Sequence, residues 1–191
     1  MHELAAKARL VGMAGSLRKD SYSRAILSSL RDQLAGTAIL EICDLRLPLY
    51  SEDGDGAAAP KAVRAFRDAM SASDGVVIVT PEYNHGIPGV LKNALDWASR
   101  PFGDSALLEK PVLVVSVSSA FTGGVRAHIQ VNETLLAIQA RIVPGPQVVI
   151  GGVAEKIKDG ILIDESCRRF ALAAVDRLIA MSWSVEGALP A

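Results

Sequence analysis

The sequence predicts an α/β protein built on an open parallel β-sheet with helices on both faces. Three observations lead there. Short, nearly continuous apolar runs alternate with stretches of helical periodicity along the chain. Half of the 191 residues are hydrophobic while only 5% are aromatic, which suits Val- and Ile-rich strands buried on both faces. Parallel strands need crossovers, and their right-handedness distributes the helices over both sides. The length suits one domain over residues 1–191, with 184–191 as a frayed tail.

The elements follow in order. Arg9 to Ala14 is a first strand ending at Gly15. Ser21 to Leu34 is a helix with Ile26, Leu30 and Leu34 on one face, and Gly36 stands where a left-handed residue ends a helix. Thr37 to Cys43 alternates as a second strand. Leu45 to Ala59 is a loop, and Pro60 suits the first turn of a helix that turns Val63, Phe66 and Met70 inward. Gly75 to Thr80 is a third strand. Pro88 starts a helix with Leu91, Leu95 and Ala98 on its stripe. Pro111 to Val117 is the fourth strand, Gly123-Gly124 opens a helix to about Ala140, and Gln147 to Ile150 is the fifth strand. Lys158-Asp159-Gly160-Ile161 is a turn between short extended pieces. Asp164 caps a last helix with Cys167, Phe170, Ala174, Leu178 and Met181 inward.

Charge and motifs exclude several classes. Lys plus Arg is 20 and Asp plus Glu is 21, a net charge of −1, so no basic face is expected for nucleic acid. Cys43 and Cys167 make no CxxC, and His2, His85 and His128 make no HExxH, so no metal site is expected. No apolar run approaches the ~20 residues of a membrane span. Met1 to Lys7 does not read as a signal peptide. The expectation is a cytoplasmic protein with both thiols reduced.

In an open α/β sheet, a ligand is expected at the carboxyl ends of the strands, near the point where strand order reverses. Four loops lie there. Gly15-Ser16-Leu17-Arg18-Lys19-Asp20-Ser21-Tyr22-Ser23 is neither GxGxxG nor GxxxxGK[ST]. It gathers hydroxyls and cations at a helix amino terminus, which favours an anion: Ser16, Ser21 and Ser23 donate O–H bonds and Arg18 a charge-assisted one. Capping by Ser21 accounts for one serine, but less readily for three hydroxyls plus Arg18. Thr80 to Gly89 combines Tyr83 with two prolines and two glycines, and it too ends at a helix start, so its N–H groups are expected to point outward. Such a surface suits a flat heteroaromatic ring. Ser116 to Gly124 offers small hydroxyl residues, as a ligand wall or a glycine hinge. The acidic segment from Cys43 to Ala59 is a flap or a surface connection.

These residues carry a resemblance. GSLRKDSYS after the first strand, VVIVTPEYNHGIPGVLKNALDW, KPVLVVSVSS and GGVRAHIQ together resemble the NADPH-dependent FMN reductase family, most closely its chromate reductase and NAD(P)H quinone reductase group. The match covers nearly the whole chain, and PEYN followed by PGxLKNALDW is its specific part. The resemblance implies a flavodoxin-like three-layer sandwich whose five-stranded parallel sheet runs 2-1-3-4-5, with FMN at the switch point. It implies that Ser16, Arg18, Ser21 and Ser23 hold the FMN phosphate, with Tyr22 among the cofactor-binding residues. Ser23 stands where family members often have Asn. Pro81, Glu82, Tyr83, Asn84 and Gly86 match the segment lining the flavin ring, and Ser118 a further flavin-contacting serine. Arg126 matches an arginine of the related quinone reductases and His85 a variable position.

The function implied is transfer of two electrons from NAD(P)H through FMN to quinones, azo compounds, free flavin or metal oxyanions such as chromate. No catalytic side chain is expected, because the flavin carries the chemistry. The alternatives are a flavodoxin-like electron carrier and a cofactor-free sensor. Carriers present a strongly acidic face to basic partners, and a net charge of −1 weighs against that. A receiver domain lacks its acidic pair, since the first strand ends Met13-Ala14-Gly15. A homodimer or homotetramer is expected from the family. Leu91, Leu95, Trp97 and Phe102 are the side chains considered for that contact, with burial in the chain's own core as the equal alternative for Trp97 and Phe102.

Overall fold

The computed structural model describes residues 7–183, so the expected tail at 184–191 lies outside the described residues. The central sheet is β1 (Ala8–Ala14), β2 (Ala38–Cys43), β3 (Gly75–Pro81), β4 (Pro111–Val117), β5 (Arg141–Ile142) and β6 (Val148–Ile150). Its order is β2-β1-β3-β4-β5, with β6 also on β4, and every pairing is parallel. The flavodoxin-like topology is therefore present. One strand position departs from expectation. The fifth strand is two pieces, β5 on Pro111–Val112 and β6 on Val115–Val117. Pro144 and Pro146 lack N–H donors and Gly145 has φ +122°, so the ladder breaks between the pieces.

Alternation along the strands separates two cores. Leu10, Val77, Val79, Val115 and Val117 face α1 (Tyr22–Leu34) and α6 (Glu165–Trp183). Val11, Met13, Val76, Ile78 and Val114 face α2 (Lys61–Ser71), α3 (Gly89–Ala98) and α4 (Val125–Ala137). Most of these side chains are fully buried. Each such aliphatic group contributes on the order of 1.5–3 kcal/mol.

The helix ends follow local chemistry at two caps and depart from it at one. Ser21 caps α1, its side chain accepting from the Arg24 N–H. The Asp164 carboxylate accepts from the Cys167 N–H at 2.8 Å, as expected for the start of α6. Gly36 is not left-handed. Instead α1 closes with the Thr37 N–H and Oγ1 both donating to the Leu34 carbonyl. Phe170 is 42% exposed rather than inward, and Met181 is only half-buried. The buried stripe is Ala171, Ala174, Val175, Leu178 and Ile179, because small alanines let α6 lie close to the sheet. A short helix α5 (Val153–Lys156) precedes the hairpin β7 (Ile157–Lys158) and β8 (Ile161–Leu162). Asp159 and Gly160 both take positive φ in its two-residue turn, as a type I′ hairpin requires.

The segment after β2 is a clamped surface connection rather than a flap. Leu45 and Ala59 are buried at its ends. Asn93 accepts from the Tyr50 N–H and donates to the Pro48 carbonyl, and the Trp97 indole N–H donates to the same carbonyl. Arg67 pairs with Asp55 at 2.8 Å, and Arg100 lies 3.5 Å from the same carboxylate. The hydrogen bond from Arg67 is the first cause holding the Asp55 carboxyl below its ordinary pKa. A depressed carboxylate stabilises the fold above its unfolded pKa, about 3.9, and that stability is lost as pH falls through the folded value. Asp55→Asn is therefore expected to lower thermal stability at neutral pH and to flatten the acid limb of Tm against pH. An unchanged acid limb would show that the clamp contributes nothing.

Candidate functional site

β1, β3 and β4 end side by side at Ala14, Pro81 and Val117, and the chain leaves the sheet there, at Gly15 after β1. A Cβ on Gly15 would lie 3.0–3.2 Å from Thr80 and Pro81, so glycine is what lets the first loop turn close over the third strand. A cavity of about 420 Å³ opens above them. Ser16, Arg18, Ser21, Tyr22 and Ser23 form its wall on the α1 side. Pro81, Glu82 and Tyr83 form the β3 side. Val117, Ser118 and Ser119 form the β4 side. Nine of the expected site residues thus converge on one cleft, drawn from loops far apart in sequence. Asn84 and Gly86 do not line it.

The anion end is built at the start of α1. Ser23 is 1% exposed, and its hydroxyl is buried without a hydrogen-bond partner. An unpaired buried hydroxyl is costly, so such a group in a cavity wall marks a place where a ligand atom completes the bonding. Arg18 is exposed; its guanidinium donates to the Asp20 carbonyl at 2.7 Å and sits 5.2 Å from the Tyr22 ring centre. These contacts hold a cation beside the amino end of α1, where free N–H groups and the dipole favour negative charge. Ser23→Ala is expected to leave the ligand-free protein as stable or slightly more so, by removing an unmet polar group, while weakening an anionic ligand several-fold. Thermal melts with and without the ligand check both signs.

The ring end differs in detail from expectation. Tyr83-Asn84-His85-Gly86 is a tight hairpin, with the Tyr83 and Gly86 N–H groups donating to each other's carbonyls. Asn84 and His85 have φ +50° and +66° at its tip, and both are exposed. The Ile87 N–H donates to Gln130. These three N–H groups are therefore used internally and do not point outward. The hairpin instead presents the half-exposed Tyr83 ring, whose hydroxyl lies 3.2 Å from Ser16 Oγ and bridges the two walls. Gly86 serves packing, since a Cβ there would crowd the Gln130 amide.

Glu82 lines the cleft, and its carboxylate is hydrogen-bonded to α4. It accepts from the Arg126 N–H at 3.0 Å and the Ala127 N–H at 3.3 Å, and Arg126 NH1 lies 3.6 Å away. Glu82 is a helix cap that ties the loop after β3 to the start of α4, and Arg126 is part of the same tie. Glu82→Ala is expected to cost about 1 kcal/mol of stability through the lost cap, measured by denaturant unfolding. Below it His128 is 3% exposed, 3.3 Å from Ser116 Oγ, with burial pushing its pKa down. It is a neutral core residue at pH 7. Ser119 and Val117 were not singled out in the sequence, although both sit in the segment expected to line the ligand.

Trp97, Leu91 and Leu95 are almost completely buried within the chain, so they form no outer contact surface. Of the side chains considered for assembly only Phe102 is exposed, at 83%.

A 2-1-3-4-5 sheet with a hydroxyl- and arginine-lined cleft at the β1–β3 switch point defines the flavodoxin-like class, in which that point is where flavodoxin holds FMN. A sequence model of that class, NADPH-dependent FMN reductase, matches residues 8–155. The chain is 40% identical over 172 residues to a quinone reductase of Pseudomonas putida, covering 90% of this chain and 91% of the relative. It is 33% identical over 174 residues to a 2-hydroxy-1,4-benzoquinone reductase of a Burkholderia species, covering 90% and 94%. Among solved structures it is similar to the flavoenzyme NAD(P)H:(acceptor) oxidoreductase FerB of Paracoccus denitrificans, with TM-score 0.84 and 31% identity over 93% of this chain and 98% of the other. The chain belongs to the NADPH-dependent FMN reductase family. It is an oxidoreductase that uses FMN, with NAD(P)H as co-substrate.

Proposed function

We propose that the protein is a quinone reductase that passes two electrons from NAD(P)H through FMN to a quinone, with azo compounds, free flavin and chromate as further acceptors. The observation that carries the reading is the cleft itself: about 420 Å³, with an unpaired buried Ser23 hydroxyl and Arg18 in the α1 wall and the half-exposed Tyr83 ring in the β3 wall. The names of the relatives, quinone reductase and 2-hydroxy-1,4-benzoquinone reductase, support the acceptor class.

When bound, FMN supplies the ring that accepts hydride and passes on the electron pair. The chain holds and orients it. Ser16, Ser21, Ser23 and Arg18 receive the phosphate at the amino end of α1, with Tyr22 beside it. Pro81, Glu82 and Tyr83 form one wall of the ring site, Ser118 lies opposite, and Asn84 and Gly86 build the hairpin that carries Tyr83. Ser118 Oγ accepts from the Ala120 N–H at 3.1 Å, which leaves its own O–H to donate. Tyr83, half-exposed in this wall, leaves a place beside the ring where nicotinamide and acceptor would take turns. No side chain acts as acid or base: Glu82 is occupied by α4 and His85 is at the hairpin tip.

The proposal extends to one FMN-binding domain over residues 1–191, working in the cytoplasm as a homodimer or homotetramer. The free Cys43 and Cys167 thiols suit a reducing compartment. Steady-state NAD(P)H oxidation by FMN-loaded protein with a benzoquinone tests the activity. Turnover with inverse plots that stay parallel as the acceptor is varied is expected. Absence of turnover with any acceptor would leave only an electron carrier.

A further inference from the structure

A second cleft lies on the other side of the first loop, between the ends of β1 and β2, with a volume of about 410 Å³. Arg18, Lys19, Arg24 and Arg46 line it against one carboxylate, Asp44. Four cations to one anion is a local excess in a chain whose net charge is −1. Asp44 is 3.2 Å from Arg46 NH1 and also accepts from the Arg46 N–H, so it partly neutralises and orients that guanidinium. Ser16 and Arg18 line both clefts, so the two are neighbours across this loop. Leu17, half-exposed, gives this cationic cleft an apolar edge.

We infer that this cleft receives the 2′-phosphate-bearing adenosine end of NADPH, while the nicotinamide lies in the first cleft. The inference rests on the reductase reading and extends it to the co-substrate. A phosphate monoester is close to a dianion at pH 7 and selects clustered guanidinium groups with several donors each. The phosphate of FMN has its own place at the amino end of α1, so Lys19, Arg24 and Arg46 remain for a second phosphate. Leu17 offers a flat apolar contact for the adenine. NADH lacks the 2′-phosphate and leaves these cations with water.

The probe is adenosine 2′,5′-bisphosphate, titrated calorimetrically into FMN-loaded protein beside adenosine 5′-monophosphate. The bisphosphate is expected to bind about tenfold more tightly, as one additional charge-assisted contact warrants. Arg24→Ala and Arg46→Ala should each remove most of that preference while FMN affinity, read by absorbance, stays at the wild-type value. Asp44→Asn should tighten the bisphosphate, because it frees Arg46 and removes a like charge. Equal affinity for the two nucleotides would overturn the inference. So would a preference untouched by Arg24→Ala and Arg46→Ala, or displacement by inorganic phosphate at the same concentration, which marks a generic anion patch. The reductase reading fails separately, by absence of NAD(P)H turnover in the wild type. A reductase with normal turnover and no bisphosphate preference sinks only the cleft assignment.

Discussion

Arg18→Ala is expected to weaken FMN binding about tenfold, the loss of one exposed charge-assisted contact, and to leave riboflavin affinity nearly unchanged. The two ligands share the ring and differ in the phosphate, so their ratio isolates the group that Arg18 reads. Arg18 is held for this by the Asp20 carbonyl and the Tyr22 ring, so little side-chain freedom remains to be lost on binding. Its exposure keeps the effect moderate and salt-sensitive: raising ionic strength should weaken FMN in the wild type more than in the variant. Equal losses for FMN and riboflavin would show that Arg18 shapes the loop and does not contact phosphate. Parallel fluorescence titrations of both flavins distinguish these outcomes.

Trp97→Ala is expected to be the most destabilising of these substitutions, by about 3–5 kcal/mol, with a fall in Tm of roughly 10 °C. Trp97 is 1% exposed and packs beside Ala59 and Val63. The Tyr50 ring meets it edge-on at 4.9 Å, and the Arg67 guanidinium lies 5.4 Å from its ring centre. Its N–H donates to Pro48, so truncation weakens the anchoring of the clamped connection together with the cavity cost. Trp97→Phe should recover much of the packing and lose the hydrogen bond. Chemical unfolding of both variants measures the split. A loss below about 1 kcal/mol for alanine would mean that the site collapses around the gap.

Much of the fold is legible in the chain. β3 and β4 are nearly unbroken apolar runs, and strands buried on both faces need that pattern. Ser21, Asp164 and the Asp159-Gly160 turn are local devices that act within a few residues, and each is where the sequence puts it. Phe170 lies outward because helical periodicity defines a stripe without saying which neighbouring stripe the sheet accepts. Gly36 is not left-handed because Thr37 offers the helix end a different closure. The broken fifth strand was signalled by Pro144-Gly145-Pro146, but only pairing with β4 on both sides of it shows that the strand resumes.

The site divides in the same way. The loops at the strand ends, with Ser16, Arg18, Ser21, Tyr83 and Ser118, follow from the sequence because the topology of an open α/β sheet directs attention there. What each side chain does there was decided by partners remote in sequence. Glu82 looks like a ring contact until α4 arrives to take its carboxylate. Trp97 suits a core or an assembly contact equally until Pro48 and Tyr50 cover it. Arg46 has no evident role until β2 ends beside the first loop and adds it to Arg18, Lys19 and Arg24. Most strands and helices, the family and the loops that meet at the cleft can be read from the chain alone, because periodicity, turn chemistry and motif reside in short windows of it. Which polar groups are occupied and which stay free is settled by folding, because hydrogen bonds and charge pairs form between segments that only the folded chain brings together.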